Sequence, residues 1–210
     1  MPDKVITRGT SLYGKRNREI KSSVIFSAVS SLLLLILAAF IIVNNFVFVK
    51  VMVSGSSMYS TLKDGDLVSV NVYSAPTYGD IIVISGEKAG GDWLIKRAIA
   101  FGGDTVKIEG GEVYLKKSGE TEFTKLSEPY LDAQGITFWN DPRADGFLVP
   151  EGQIFYLGDN REHSKDSRSE FGTCEKSQIV GVVSEFALKT RGINKFFDNI
   201  ASAVRNLFSF

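Results

Sequence analysis

Residues 94–115, LIKRAIAFGGDTVKIEGGEVYL, decide the fold class. Leu94–Ala100 is a strand-like run closed by the turn Phe101-Gly102-Gly103-Asp104. Val106–Ile108 and Glu112–Leu115 then flank Gly110-Gly111. Two glycines between two β-type runs signal a tight hairpin, because both central residues of the favoured turn need positive φ. Working outward, further runs are Phe46–Val53, Leu67–Val72 (LVSVNV, which alternates), Ile81–Ile84 (IIVI), Ile154–Leu157 (IFYL) and Ile179–Phe186. Short strands joined by glycine-containing turns, without long helical patterns between them, predict a mainly β domain, an antiparallel barrel or sandwich. Residues 116–148 have weak periodicity and several turn residues, and read as an inserted loop region.

Two segments depart from this pattern. From Ser22 to Val49 no residue is charged. Its centre, VIFSAVSSLLLLILAAFIIV (24–43), would as a helix span roughly 30 Å, the thickness of a bilayer's hydrocarbon core. A cleaved leader needs only about 7–15 apolar residues followed by a small-residue cleavage site. Here Asn44-Asn45-Phe46 follows instead, so a retained anchor over 22–45 is expected. Lys4, Arg8, Lys15, Arg16, Arg18 and Lys21 precede it, against Asp3 and Glu19. That excess predicts that residues 1–21 are cytoplasmic and that residues 46–188 form an extracytoplasmic domain. At the other end, Ile193, Phe196, Phe197, Ile200, Val204, Leu207 and Phe208 recur at helical spacing. Residues 189–210 are thus an expected amphipathic helix, too polar to span a bilayer. It could pack on the domain, lie in the membrane interface or bind a partner.

Composition narrows the chemistry. The 210 residues carry 24 Lys/Arg and 24 Asp/Glu, a net charge of zero, which argues against a nucleic-acid partner. Removing the six basic and two acidic residues before the span leaves the outer part with 18 and 22, mildly acidic. Cys174 is the only cysteine, so neither an internal disulfide nor a cysteine-based zinc site can form. His163 is the only histidine, so histidine-dependent nucleophilic catalysis would have to run through it. No P-loop and no G-x-G-x-x-G is present, and no metal or cofactor is called for.

Three segments are candidates for chemistry. Ser54-Gly55-Ser56-Ser57-Met58-Tyr59-Ser60-Thr61-Leu62 is a small-residue run that lets backbone N–H groups approach a substrate, though serine clusters are usually turns. Lys96, in Trp93-Leu94-Ile95-Lys96-Arg97-Ala98, follows apolar residues. Burial would lower its pKa and make the neutral amine a general base; the plainer reading is a surface Lys-Arg on an edge strand. Gly158-Asp159-Asn160-Arg161-Glu162-His163-Ser164-Lys165-Asp166-Ser167-Arg168 is dense in hydrogen-bonding groups, and taken alone is a polar loop.

Together, in this order and behind one N-terminal anchor, the Ser-x-Met, Lys-Arg and Gly-Asp-Asn-Arg motifs resemble those of bacterial type I signal peptidases. These are membrane-bound serine endopeptidases with a Ser-Lys dyad. The resemblance implies a largely β fold. It also implies removal of signal peptides from exported preproteins, after small residues at −3 and −1. It makes Ser57 the nucleophile, Lys96 the general base, and Ser164 the residue that orients the lysine. Asp159, Arg161, Asp166 and Arg168 would brace the site, and Gly79-Asp80 matches a structural box. Val53, Gly55, Met58, Leu62, Leu94 and Ile95 would line the substrate pockets. The implied partners are signal peptides, membrane lipid and the protein-export machinery. The oxyanion would be met by the Ser57 N–H; Gly55 stands where some members carry a serine donor, leaving Ser56 as a substitute. Ser60 and Gly102 stand where the family usually has proline. A catalytically inactive, membrane-anchored peptide-binding relative is the alternative.

Overall fold

The computed structural model describes residues 8–86, 90–132, 136–139 and 146–190, with 192, 196, 199 and 202 beyond them. The chain divides into two compact units, Met1–Phe46 and Val47–Phe210. In the first, helix α1 (Arg8–Val47) contains an apolar segment, Lys21–Ile42, of mean hydropathy 2.8 whose residues are unburied. Such a helix is long and apolar enough to cross a membrane. It continues two residues into the expected strand Phe46–Val53, which begins only at Phe48. Nothing between Ser22 and Val47 is a glycine or proline, so no residue there stops helix propagation.

The second unit is antiparallel β, as the hairpin and strand signals indicate. One sheet runs β1 (Phe48–Met52), β2 (Leu67–Asn71), β11 (Ile179–Val183), β3 (Ile81–Ile84), β4 (Leu94–Phe101), β9 (Gln153–Leu157) and β10 (Cys174–Glu175). It remains open, with β1 and β10 as edges. A second sheet runs β7 (Thr124–Lys125), β6 (Glu112–Lys116), β5 (Thr105–Glu109) and β8 (Phe147–Leu148). The hairpin between β5 and β6 turns at Gly110 and Gly111, with φ +60° and +88°, the geometry that favours glycine. The inserted region is therefore not all loop: β7 and β8 extend the second sheet on its two sides.

Strand β4 carries the argument forward. It pairs with β3 on one side (Ile82 opposite Lys96) and with β9 on the other (Arg97 opposite Leu157). Lys96 and Arg97 therefore lie on an interior strand, 3% and 7% exposed, which replaces the edge-strand reading. Around them are three apolar clusters. Val53, Met58, Leu62 and Ile95 share the first, Ile99, Phe155 and Leu157 the second, and Ile82, Ala98 and Tyr156 the third.

Two local departures have clear causes. A Cβ at Gly102 would meet the backbone of residues 150–152 at 2.8–2.9 Å, so the side chain of a proline has no room there. Strand β11 ends at Val183 rather than at Phe186, because Ser184 caps a helix: its Oγ accepts the Ala187 N–H at 3.2 Å, and residues 185–190 are helical. Of the amphipathic stripe foreseen beyond it, only Phe196 is among the described residues, and it is exposed. Ile193, Phe197, Ile200, Val204, Leu207 and Phe208 lie outside them.

Candidate active site

Past β1 the chain makes one helical turn, with Leu62 N–H donating to Met58 O at 2.8 Å. Met58 and Leu62, four residues apart, face the core and are 1% and 0% exposed. This anchors the turn and leaves the preceding serine half-buried at its mouth. Gly55 has φ +86° and donates its N–H to Asp64 Oδ1 at 2.8 Å. Ser60, where the resemblance implies a proline, has φ +85°, which proline's ring cannot adopt. Its loop is held another way, by donation from Ser60 Oγ to Tyr130 O at 2.8 Å.

Lys96 Nζ donates to Ser57 Oγ at 2.8 Å and to Ile95 O at 3.0 Å. Burial pushes the Lys96 ammonium down to about 8, while the negative charges of Asp166 and Asp159 act in the opposite sense. Once neutral, the amine can accept the serine proton, so this pair has the geometry of a nucleophile and its base. A consequence is measurable in stability. Between about 8 and the ordinary lysine value of 10.5 the folded chain binds fewer protons at Lys96 than the unfolded chain, so stability rises with pH across that window. Lys96→Met should therefore be more stable than wild type at pH 7, by about 3 kcal/mol, with the gain fading by pH 10.5. Thermal unfolding of both proteins at several pH values checks this; a Met variant less stable at every pH would contradict it.

The 158–168 segment is tied to the loop that carries Ser56 and Ser57. Asn160 N–H donates to Ser57 O at 3.0 Å, and its side-chain amide to Ser56 O at 3.1 Å. Asp159 and Arg161 have separate partners. Asp159 takes a bidentate pair with Arg97 at 2.8 and 2.5 Å and accepts from Thr61 Oγ1 at 2.5 Å. Arg97 also donates to Gly79 O at 2.6 Å, which gives the Gly79-Asp80 box its place. Arg161 pairs with Glu128 and donates to Thr137 Oγ1 and to Gly158 O. Asp166 and Arg168 do pair with each other, through two contacts of 2.8 Å, and Asp166 Oδ2 accepts the Gly158 N–H at 3.0 Å.

Ser164 is placed differently from the lysine-orienting role the resemblance implies. Its buried hydroxyl has no hydrogen-bond partner, and Lys96 Nζ is bonded to Ser57 and Ile95 instead. Ser164 lies against Gly158: a Cβ at residue 158 would collide with Ser164 Oγ and Cβ and with Ser57 O. Gly158→Ala should thus displace both serines and cut kcat at least about tenfold, given how steeply rate falls with misplacement of reacting groups. Steady-state kinetics on the folded variant checks it; wild-type kcat would show that the site tolerates the methyl.

A cleft of about 850 Å³ opens over Ser57 and Lys96. Val53, Gly55, Met58, Leu94 and Ile95 line it. Leu62 does not, since it is turned inward with Met58's cluster and has no exposed surface. Sequence reading missed Met52, Trp93, Lys165 and Phe171 on this wall, and the cleft also includes His163. Among the described residues, no group of three or more His, Cys, Asp or Glu side chains could hold a metal ion.

Residues 25–187 match the family model for signal peptidase, peptidase S26. The chain is 34% identical over 176 residues to signal peptidase I U of Bacillus subtilis (strain 168), covering 81% of this chain and 89% of that protein. It is 34% identical over 162 residues to signal peptidase IB of Staphylococcus aureus (strain N315), covering 68% and 79%. A crystal structure of a signal peptidase I from Enterococcus faecalis V583 is 31% identical, with a TM-score of 0.42 over 53% of this chain and 98% of that one. By the extent of the family match and the identity to these relatives, the chain belongs to the signal peptidase family, peptidase S26.

Proposed function

We propose that this protein is a membrane-bound type I signal peptidase that cleaves exported preproteins after small residues at −3 and −1. Ser57 is the nucleophile and neutral Lys96 the base. The observation that carries this reading is the 2.8 Å contact between Lys96 Nζ and Ser57 Oγ at the foot of the cleft, with the lysine only 3% exposed. Lys96 takes the Ser57 proton as Oγ attacks the scissile carbonyl, then returns it to the leaving amine. An acyl-enzyme remains, and Lys96 deprotonates the water that releases it. The Ser57 N–H would meet the developing oxyanion, with the Ser56 hydroxyl as a second donor.

Val53, Gly55, Met58, Leu94 and Ile95 form the substrate wall of an extended peptide bound by strand addition. Signal peptides are the substrate; bilayer lipid is the setting and the export machinery the supplier of that substrate. The excess of basic residues before the apolar helix supports a cytoplasmic N-terminus and an extracytoplasmic peptidase domain.

The test is cleavage, in detergent, of a preprotein bearing an Ala-x-Ala site. The expected result is one cut after the second alanine, and loss of at least about a hundredfold in kcat/KM when leucine or arginine replaces the −1 alanine, since a shallow pocket excludes both. No cleavage by folded protein would favour the inactive peptide-binding relative. Cleavage indifferent to the −1 residue would remove the assignment of the wall.

A further inference from the structure

The segment Leu126–Asp132 lies in the region that sequence reading left without a role, yet its contacts reach all three segments of the site. It begins tied to β6 by Leu126 N–H donating to Val113 O at 2.8 Å. It then turns at Glu128-Pro129-Tyr130-Leu131, with Leu131 N–H donating to Glu128 O at 3.1 Å and proline fixing the second position. That turn presents Tyr130 to two neighbours at once. The face of its ring lies 3.7 Å from the Arg97 guanidinium, next to Lys96 in sequence. Its carbonyl accepts the Ser60 hydroxyl at 2.8 Å, on the loop that carries Ser57. The Tyr130 hydroxyl donates to Glu128 Oε1 at 2.8 Å, and both oxygens of that carboxylate hold Arg161 in the third segment.

From these contacts we infer that Tyr130 is a positioning residue, the keystone of a strap that fixes Ser57 and Lys96 relative to each other. The inference rests on the reading of that pair as the dyad. The strap matters because the nucleophile loop is held from the core side by Met58 and Leu62, while Tyr59 and Ser60 are exposed. Besides the bonds from Asn160 and Thr61, the Ser60 hydroxyl adds a contact that ties the loop down at its exposed tip, at a residue whose φ of +85° is itself unfavourable. Arg97 is held edge-on by Asp159 and Gly79 O and face-on by Tyr130. Removing the ring frees one face of the guanidinium and loosens the register of the adjacent lysine. An error of about 1 Å between reacting groups can cost about a hundredfold in rate.

The experiment measures kcat and KM of the full-length protein in detergent on the Ala-x-Ala preprotein. Wild type, Tyr130→Leu, Tyr130→Phe, Ser60→Gly and Ser57→Ala are compared. Tyr130→Leu should lower kcat about tenfold to a hundredfold with KM within about twofold. Tyr130→Phe keeps the ring over Arg97 and should recover kcat to within about threefold of wild type. Ser60→Gly removes the hydroxyl while suiting the backbone, and should lower kcat about threefold to tenfold. Wild-type kcat in Tyr130→Leu, a loss confined to KM, or a Phe variant as slow as the Leu variant would each overturn the inference. If Tyr130→Leu does not fold, Ser60→Gly decides, and wild-type kcat there overturns it. Cleavage by Ser57→Ala would instead sink the dyad reading itself, whatever Tyr130 does.

Discussion

Ser57→Ala and Lys96→Ala should each lose at least about 10⁴-fold in kcat/KM, and the double variant should be no worse than either alone. A nucleophile and its base act as a unit: without Oγ there is no acyl-enzyme, and without a neutral amine the hydroxyl keeps its proton. Lys96→Arg should be as inactive as Lys96→Ala, because a guanidinium stays protonated at every workable pH. The same logic fixes the pH dependence. The ammonium form of Lys96 is useless as a base, and burial has pushed its pKa to about 8. The rate should therefore climb roughly tenfold per pH unit below that value and level off above it. The measurement is kcat/KM from pH 6 to 10 on the Ala-x-Ala preprotein, with circular dichroism to show that each variant is folded. Activity within tenfold of wild type in either alanine variant would remove that residue from the mechanism. A flat profile between pH 6 and 9 would mean that the base is some group other than Lys96.

What could be read in advance divides along a physical line. Local signals were legible. Gly110-Gly111 specified a hairpin because only positive φ closes it, and the uncharged run from Ser22 specified a long apolar helix. Pairings across the chain were not. Arg97 and Asp159 are 62 residues apart, and nothing local tells an arginine on an interior strand from one on an edge. Arg161 was expected to brace the site, but its partner Glu128 lies in a stretch whose weak periodicity does not mark it. Two misses had signals. Met58 and Leu62 stand at i and i+4, which in a single helical turn sends both into the core and takes Leu62 off the cleft. Ser184 precedes a helix in the manner of an N-cap and marks where β11 stops. Ser164 occupies the motif position, and its buried hydroxyl lies against Gly158 without a hydrogen-bond partner, a placement that no local signal marks.

Arg97 and Asp159 set the second large effect, on stability. Their side chains are 9% and 0% exposed and meet in a bidentate pair. Forming such a pair gains little over an apolar replacement, because desolvating both charges nearly offsets their attraction. Removing one partner is another matter. Asp159→Ala leaves the guanidinium buried with Gly79 O, Thr61 Oγ1 and the Tyr130 ring, none of which carries a compensating charge. The expected loss is about 3–5 kcal/mol, read from denaturant unfolding of the peptidase domain in the intact protein. Asp159→Asn keeps the shape and some hydrogen bonding and should lose roughly half as much. The double variant Arg97→Met/Asp159→Leu should recover most of the stability, since no charge is then left buried. The variant also moves the chemistry in a defined direction. The Asp159 charge raises the Lys96 pKa, and its loss leaves Arg97 positive and unpaired nearby. Both changes disfavour the ammonium, so whatever activity Asp159→Ala keeps should have its rising limb at lower pH than wild type. A stability loss under 1 kcal/mol would show that water or another group compensates Arg97. An unmoved or alkaline-shifted limb would show that Asp159 acts on Lys96 through packing alone.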